Sequence, residues 1–269
     1  PGGFTSNLQN ATQAGSTPLM SGTYSVIVSI GTCTANAITN VVVNALPIPN
    51  ALATSPVCVG QTINLTGSGG TTYTWTGPGS FSSNSATPSI PVSATSNAGA
   101  YILTVTDVNG CTNTTNVNVV VNTLPVIAVA NPTTCVNTNI LLTSNGGVSY
   151  SWTGPGGFTS TAQNPTIPTA QLTMSGNYVV TVTDANNCVN TATALVSVLP
   201  LPNPNITSNS PVCSGNALNL FGTGGATYSW SGPGYAGTAQ NPVVNNVNVG
   251  MSGVYTLLVS SGTCTASTT

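Results

Sequence analysis

Trp75, Trp152 and Trp230 each stand in a Tyr-x-Trp-x-Gly-Pro-Gly run, and those positions are separated by steps of 77 and 78 residues. Tyr24, Tyr101, Tyr178 and Tyr255 keep the same beat, each two residues after a glycine. Self-similarity at a fixed period means one structural unit used repeatedly, with each unit packing around its own interior. What such a chain does is therefore sought in length, stiffness and surface, and not in one singular site.

The side chains present narrow the choice further. The 269 residues include no Lys, Arg or His, and the only carboxylate side chains are Asp107 and Asp184, one in each of two successive repeats. General acid-base catalysis needs a group that titrates near working pH, and a Ser or Thr hydroxyl without a basic partner is inert as a nucleophile. The expectation is a protein that is not an enzyme and needs no cofactor. Nucleic acid is excluded as a partner because binding to phosphates draws its energy from Lys and Arg releasing counterions. An anionic membrane surface meets no basic patch, and no apolar stretch approaches the ~18 residues of a membrane span, so direct membrane insertion is not expected either.

Apolar residues make up 40% of the chain and fall in short runs such as Tyr101-Ile102-Leu103-Thr104-Val105, enough for a packed core. Pro1-Gly2-Gly3-Phe4 matches Pro155-Gly156-Gly157-Phe158, so the sequence is expected to open in mid-repeat, without a signal peptide. Seven cysteines with no Cys-x-x-Cys pair and no His argue against zinc. They form two periodic series, Cys58, Cys135, Cys213 and Cys33, Cys111, Cys188, Cys264, which points to disulfides and an oxidising, extracellular setting.

Proline-rich junctions at Leu46-Pro47-Ile48-Pro49, Leu124-Pro125 and Leu199-Pro200-Leu201-Pro202 divide the chain. The expected domains are a partial repeat at 1–45, repeats at 46–122 and 123–200, and a repeat at 201–269 that is truncated at its C-terminal end. Proline restricts its own φ and extends its neighbour, so these linkers favour an elongated rod. Within a unit, strand-like runs alternate with Gly, Asn, Pro and Ser clusters, as in a sandwich. For the second full repeat the pattern predicts strands A (126–130), B (139–144), C (148–153), E (166–170), F (178–183) and G (191–198). Trp152 is expected at the core centre against Leu141 of B and Val180 or Val182 of F. Trp75 and Trp230 have the same role in their repeats. The Tyr series is expected to form tyrosine corners, each hydroxyl bonding upstream backbone.

Val57-Cys58-Val59-Gly60, then Tyr73-Thr74-Trp75, Gly99-Ala100-Tyr101, and Thr-Val-Thr-Asp-x-Asn-x-Cys at 104–111 and 181–188 together carry a resemblance. The chain resembles, over every repeat, the immunoglobulin-like or PKD-like repeats of giant gliding-motility adhesins on the surface of Bacteroidota. The resemblance implies an all-β chain of tandem immunoglobulin-like β-sandwiches with an adhesive or stalk role at the cell surface.

In that topology Cys58, Cys135 and Cys213 belong to the A–B turn, and the other series to the F–G turn at the opposite end, roughly 25–30 Å away at about 3.3 Å per strand residue. A disulfide needs Cα atoms within about 7 Å. End-to-end stacking then pairs Cys58 with Cys188 and Cys135 with Cys264, leaving Cys33, Cys111 and Cys213 to partners elsewhere. The alternative keeps the bonds inside each repeat, as Cys58–Cys111, Cys135–Cys188 and Cys213–Cys264.

Asp107 and Asp184 read as Asx turns and not as a calcium loop, because no repeat offers a second carboxylate. Phe81, Phe158, Tyr235 and Phe4 follow the Gly-Pro-Gly loop and read as covers of their own sandwich edge, with stacking on sugar as the competing use. Met20, Met174 and Met251 read as corner packing. The function expected is a structural stalk segment of a secreted cell-surface adhesin, serving gliding motility or attachment, with neighbouring repeats as partners. A self-assembling filament or sheath of many copies, and an array that binds surface polysaccharide, are the rivals.

Overall fold

The computed structural model describes residues 1–269 and contains strands and short 3-10 turns, with no α-helix. It divides into two compact units, Pro1–Thr123 and Leu124–Thr269.

In the second unit, one sheet has the order A′ (Thr133–Cys135), G (Val189–Leu199), F (Gly176–Thr183), C (Ser149–Gly154), C′ (Phe158–Ser160). Facing it are B (Ile140–Leu141), which pairs antiparallel with E (Thr166–Ile167), and an A segment reduced to a single bridge, Val129 to Ser144. Strand F alternates because one side faces the core: Tyr178, Val180 and Val182 are buried while the residues between them are not. Residues of both sheets meet at Trp152, which has no exposed surface. Each fully buried Val or Leu in such a core is worth about 1.5–3 kcal/mol.

Several details differ from the sequence expectation. Strand B faces inward through Ile140 and Leu142, not Leu141, which is exposed, so the alternation is shifted by one residue. B and E are shorter than the runs suggest. A′ and C′ were not expected at all. A′ pairs parallel with G across 64 residues of sequence, as in Thr133 opposite Ser197, a match that no local pattern announces. Cys135 of the first cysteine series therefore does not lie in a free A–B turn: it closes strand A′, in register with Leu199.

The Gly-Pro-Gly run has a steric cause. Gly154 is extended (φ −167°), a conformation open to any residue, yet a Cβ there would fall inside the ring of Tyr178. Gly77 and Gly232 meet the rings of Tyr101 and Tyr255 in the same way. The tyrosine lies flat on the glycine and its hydroxyl donates to Met174 O at 3.0 Å. Gly154→Ala is expected to destabilise this sandwich by at least about 1–3 kcal/mol, the usual cost of overpacking. Urea titration checks it, and a variant within about 0.5 kcal/mol of the parent would show that the ring moves aside freely.

Residues 201–269 repeat the plan. A (Asn205–Ser208), B (Leu218–Thr223) and E (Val243–Val244) form one sheet, and C′ (Tyr235–Gly237), C (Thr227–Gly232), F (Thr256–Ser261) and G (Cys264–Thr268) form the other. The core around Trp230 is separate from that around Trp152.

The first unit holds a third sandwich, with strands A (Asn50–Ala53), B (Ile63–Ser68) and E (Ser89–Ile90) opposite C (Thr72–Gly77), C′ (Phe81–Ser83), F (Gly99–Thr106) and G (Thr112–Val119). A′ (Val57–Cys58) again runs parallel to the chain after G, pairing with Val121–Asn122. Its core is built on Trp75 and Tyr101. Residues 1–45 contribute a hairpin, Gly22–Ile30 with Cys33–Val41. Val26 and Val28 are 56% and 57% exposed there, whereas Leu103 and Val105, their counterparts in strand F, are fully buried. Tyr24 is correspondingly only half-buried, because no indole and no B strand close over it. It is not a core residue in the sense the repeat pattern implied.

Candidate functional site

Where two sandwiches of the second unit meet, Cys135 and Cys264 form a disulfide with Cα atoms 5.6 Å apart. Cys135 is set by the end of A′ and by the turn that follows. Cys135 O accepts from Thr138 N at 3.1 Å, and Asn137 sits at φ +66°, the left-handed third position that a type II turn demands. Asn137 N also donates to Ala170 O at 2.8 Å, tying the turn to the other sheet. The same device holds Cys58 through Gly60 (φ +88°) and Cys213 through Gly215 (φ +88°). The Cys-x-Gly/Asn pattern in the sequence is thus a turn requirement.

Cys264 begins strand G after the two-residue turn Gly262-Thr263, with Gly262 at φ +60°. A Cβ on Gly262 would lie 3.4 Å from Leu199 Cδ1, so this turn abuts the end of the preceding G strand, beside Cys135. Cys264 has no exposed surface. Cys135–Cys264 excludes two of the intra-repeat pairings, Cys135–Cys188 and Cys213–Cys264. Cys58 and Cys188 are also disulfide-bonded, while Cys33, Cys111 and Cys213 are free thiols. Cys111 therefore does not pair with Cys58. Within the first unit it lines a recess of about 740 Å³ with Val43, Asn44 and Leu46, just beyond the end of the hairpin strand Cys33–Val41.

Each sandwich also grips the linker that leads into it. Asn190 Nδ2 donates to Pro125 O at 3.0 Å, and Asn113 Nδ2 to Pro47 O at 2.9 Å. Gly146 and Gly69, at φ +96° and +101°, leave room for the carbonyls of Val126 and Ile48, which a Cβ would strike. These contacts fix the entry of the chain from both sides, a constraint that the proline content alone did not reveal.

Asp107 and Asp184 turn the chain. Asp184 Oδ1 accepts from Asn186 N at 2.8 Å and Cys188 N at 2.9 Å, and Asp107 Oδ1 does the same for Asn109 and Cys111. No three His, Cys, Asp or Glu side chains come together. Phe81 and Phe158 pack edge-on against Tyr101 and Tyr178 at 5.4 and 5.5 Å, and Phe4 lies 6.0 Å from Tyr24. Phe81, Phe158 and Tyr235 each pack against the core of their own sandwich.

Burial raises the Tyr101 and Tyr178 hydroxyls above the ordinary 10.0. The folded chain keeps these protons when the unfolded chain has released them. Stability is thus complete below pH 10.0 and falls as pH rises from there through the raised values. Urea midpoints measured from pH 8.5 to 11.5 are expected to drop only in the upper part of that range. Tyr178→Phe should flatten its share of the drop, and an unchanged slope in that variant would assign the drop to other groups.

No protein-family model matches the chain. No curated protein matches it by sequence. Solved structures align with it at low overall similarity. The N-terminal eight Ig domains of Down Syndrome Cell Adhesion Molecule align over 94% of this chain and 46% of that one, at 12% identity and TM-score 0.41. This chain therefore spans less than half of that relative. Three N-terminal domains of the bacteriophage RB49 Highly Immunogenic Outer Capsid protein align over 82% and 96%, at 14% identity and TM-score 0.41. Domains A168–A170 of titin align over 82% and 96%, at 12% identity and TM-score 0.34. By its own strand order the chain is all-β and built of tandem sandwiches with A, B and E opposite C′, C, F and G, the immunoglobulin-like arrangement.

Proposed function

We propose that this chain is a stalk segment of a large secreted adhesin at the cell surface, serving attachment or gliding motility, and that its working parts are four repeats at 1–45, 46–122, 123–200 and 201–269. The observation that carries the reading is the Cys135–Cys264 bridge, which ties two sandwiches that share no core. A cross-link of this kind does nothing for catalysis and much for resistance to separation. The gripped linkers support the same reading, since they spend hydrogen bonds on holding the entry of each domain. The disulfides support a setting outside the cytoplasm. A surface of Thr, Ser and Asn with two carboxylates responds little to salt, and the absence of Lys and Arg leaves trypsin nothing to cut.

The offset seen in Cys135–Cys264, from one repeat to the next, extends by sequence to Cys58 with Cys188. Non-reducing peptide mapping is expected to return both pairs, and a Cys58–Cys111 peptide would end the staple. Electron microscopy of the purified chain separates the functions: isolated particles one sandwich wide support the stalk, and bundles of constant width support a filament or sheath. Glycan binding that disappears in Phe81→Ala and Phe158→Ala would replace both with a carbohydrate-binding array.

A further inference from the structure

Asparagine is followed by glycine twice in the chain, at Asn109-Gly110 and at Asn145-Gly146. Glycine has no side chain to shield its main-chain nitrogen, so that nitrogen can approach the carboxamide carbon of the asparagine before it. The fold treats the two pairs differently.

Asn109 lies at the tip of the F–G hairpin of the first unit, in the turn from Asp107 to Cys111. Gly110 N donates to Asp107 O at 3.2 Å, Asp107 N donates to Cys111 O at 3.0 Å, and Gly110 sits at φ +80°. This is a type I turn closed by a left-handed residue. The bond that holds Asn109 is made by its main chain, from Asn109 N to Asp107 Oδ1 at 2.8 Å. The residue is exposed, and a Cβ on Gly110 would meet nothing within 4 Å, so the carboxamide has room to turn. Asn145 is exposed as well, but its carboxamide is fixed, because Ala128 N donates to Asn145 Oδ1 at 2.8 Å. Gly146 is in turn packed on the carbonyl of Val126. The matching F–G turn of the next sandwich keeps the Asp184 bonds but carries Asn187, at φ +62°, in place of the glycine.

We propose that Asn109 is a site of spontaneous covalent modification, at which the side-chain amide is exchanged for a carboxylate and the F–G turn is loosened. Gly110 N attacks Cγ of Asn109, forming an N–C bond. The bond from Cγ to Nδ2 breaks, and ammonia leaves carrying the proton lost by Gly110 N. Water then adds to one of the two carbonyls of the succinimide ring and opens it, to aspartate or to isoaspartate. The net change is amide plus water to acid plus ammonia, with no oxidant and no cofactor. Either product is ionised at neutral pH and adds a negative charge beside Asp107, in a chain whose formal net charge is −2. The isoaspartate form also inserts one carbon into the main chain between Asn109 N and Cys111 N. Those are the two donors that Asp107 Oδ1 holds at 2.8 and 2.9 Å. The proposal is independent of the stalk reading.

The whole chain, incubated folded at mildly alkaline pH and in parallel in urea, is mapped by peptide mass spectrometry. In the folded chain Asn109 is expected to convert at least about tenfold faster than Asn145, whose carboxamide must first be freed by local opening. In urea the two rates should converge, since both residues precede glycine. Equal rates in the folded chain, or an intact Asn109 after a time sufficient in urea, would overturn the assignment. Amide exchange at residues 109–111 should quicken in the converted chain while that at 186–188 stays unchanged. Conversion without quickened exchange would refute the loosening of the turn.

Discussion

Cys135→Ala is expected to lower the stability of the 201–269 sandwich by roughly 4 kcal/mol on the chain-entropy model of cross-linking, which is an upper figure. The loop that sets this number is shorter than the sequence separation suggests. While the 124–199 sandwich stays folded, Cys135 is held beside Leu199, so the bridge restrains only the chain from there to Cys264, about 65 residues. Hydrogen exchange resolved by segment is the measurement. Exchange at residues 205–261 should accelerate in Cys135→Ala, while residues 149–183 change little. Equal acceleration in both segments would mean that the two sandwiches unfold as one, and no acceleration would mean that the bridge is mechanically idle at equilibrium.

The second large effect is at the indole. Trp152 has no exposed surface and touches both sheets, so Trp152→Ala removes the piece around which the sandwich closes and should cost about 3–5 kcal/mol. Because Trp230 belongs to a separate core, the transition is expected to split. The 124–199 sandwich should melt at lower urea, with the Trp230 emission shifting in a later step. A single transition displaced as a whole would show coupling that the two cores do not provide. The indole Nε1–H adds a finer comparison: Trp230 donates to Ala239 O at 2.9 Å, whereas Trp75 Nε1 is buried without a partner. Replacement by Phe should therefore be milder at 75 than at 230.

What could be read from the sequence follows the range of the interaction that produced each element. Strands C, F and G lie in strongly alternating runs beside invariant Trp and Tyr positions, and the structure has them close to where the pattern puts them. A′ exists only through parallel pairing with a strand 64 residues on, and C′ only because the Gly154-Pro155-Gly156 turn sends the chain back so that Phe158 pairs with Gly154 and Ser160 with Trp152. Neither leaves a periodic trace in three residues. Strand B was misphased because Ile140, Leu141 and Leu142 are all apolar, so hydrophobicity could not say which of them faces in. The turn glycines were visible as a repeat, but their reasons were not: a tyrosine ring at Gly154, a linker carbonyl at Gly146. The second series of cysteines could be placed by counting, since each lies at the start of G. The first series needed A′ to be known before its position at the end of the domain was clear.

The bridge also decides the route of a pulling force. Tension along the polypeptide that reaches Cys135 crosses two sulfur atoms and leaves at Cys264, so the intervening stretch, 129 residues by sequence separation, is bypassed. At about 3.4 Å per extended residue this is roughly 440 Å of slack that stays folded under load. Only a reductant releases it, and the segment then lengthens instead of breaking.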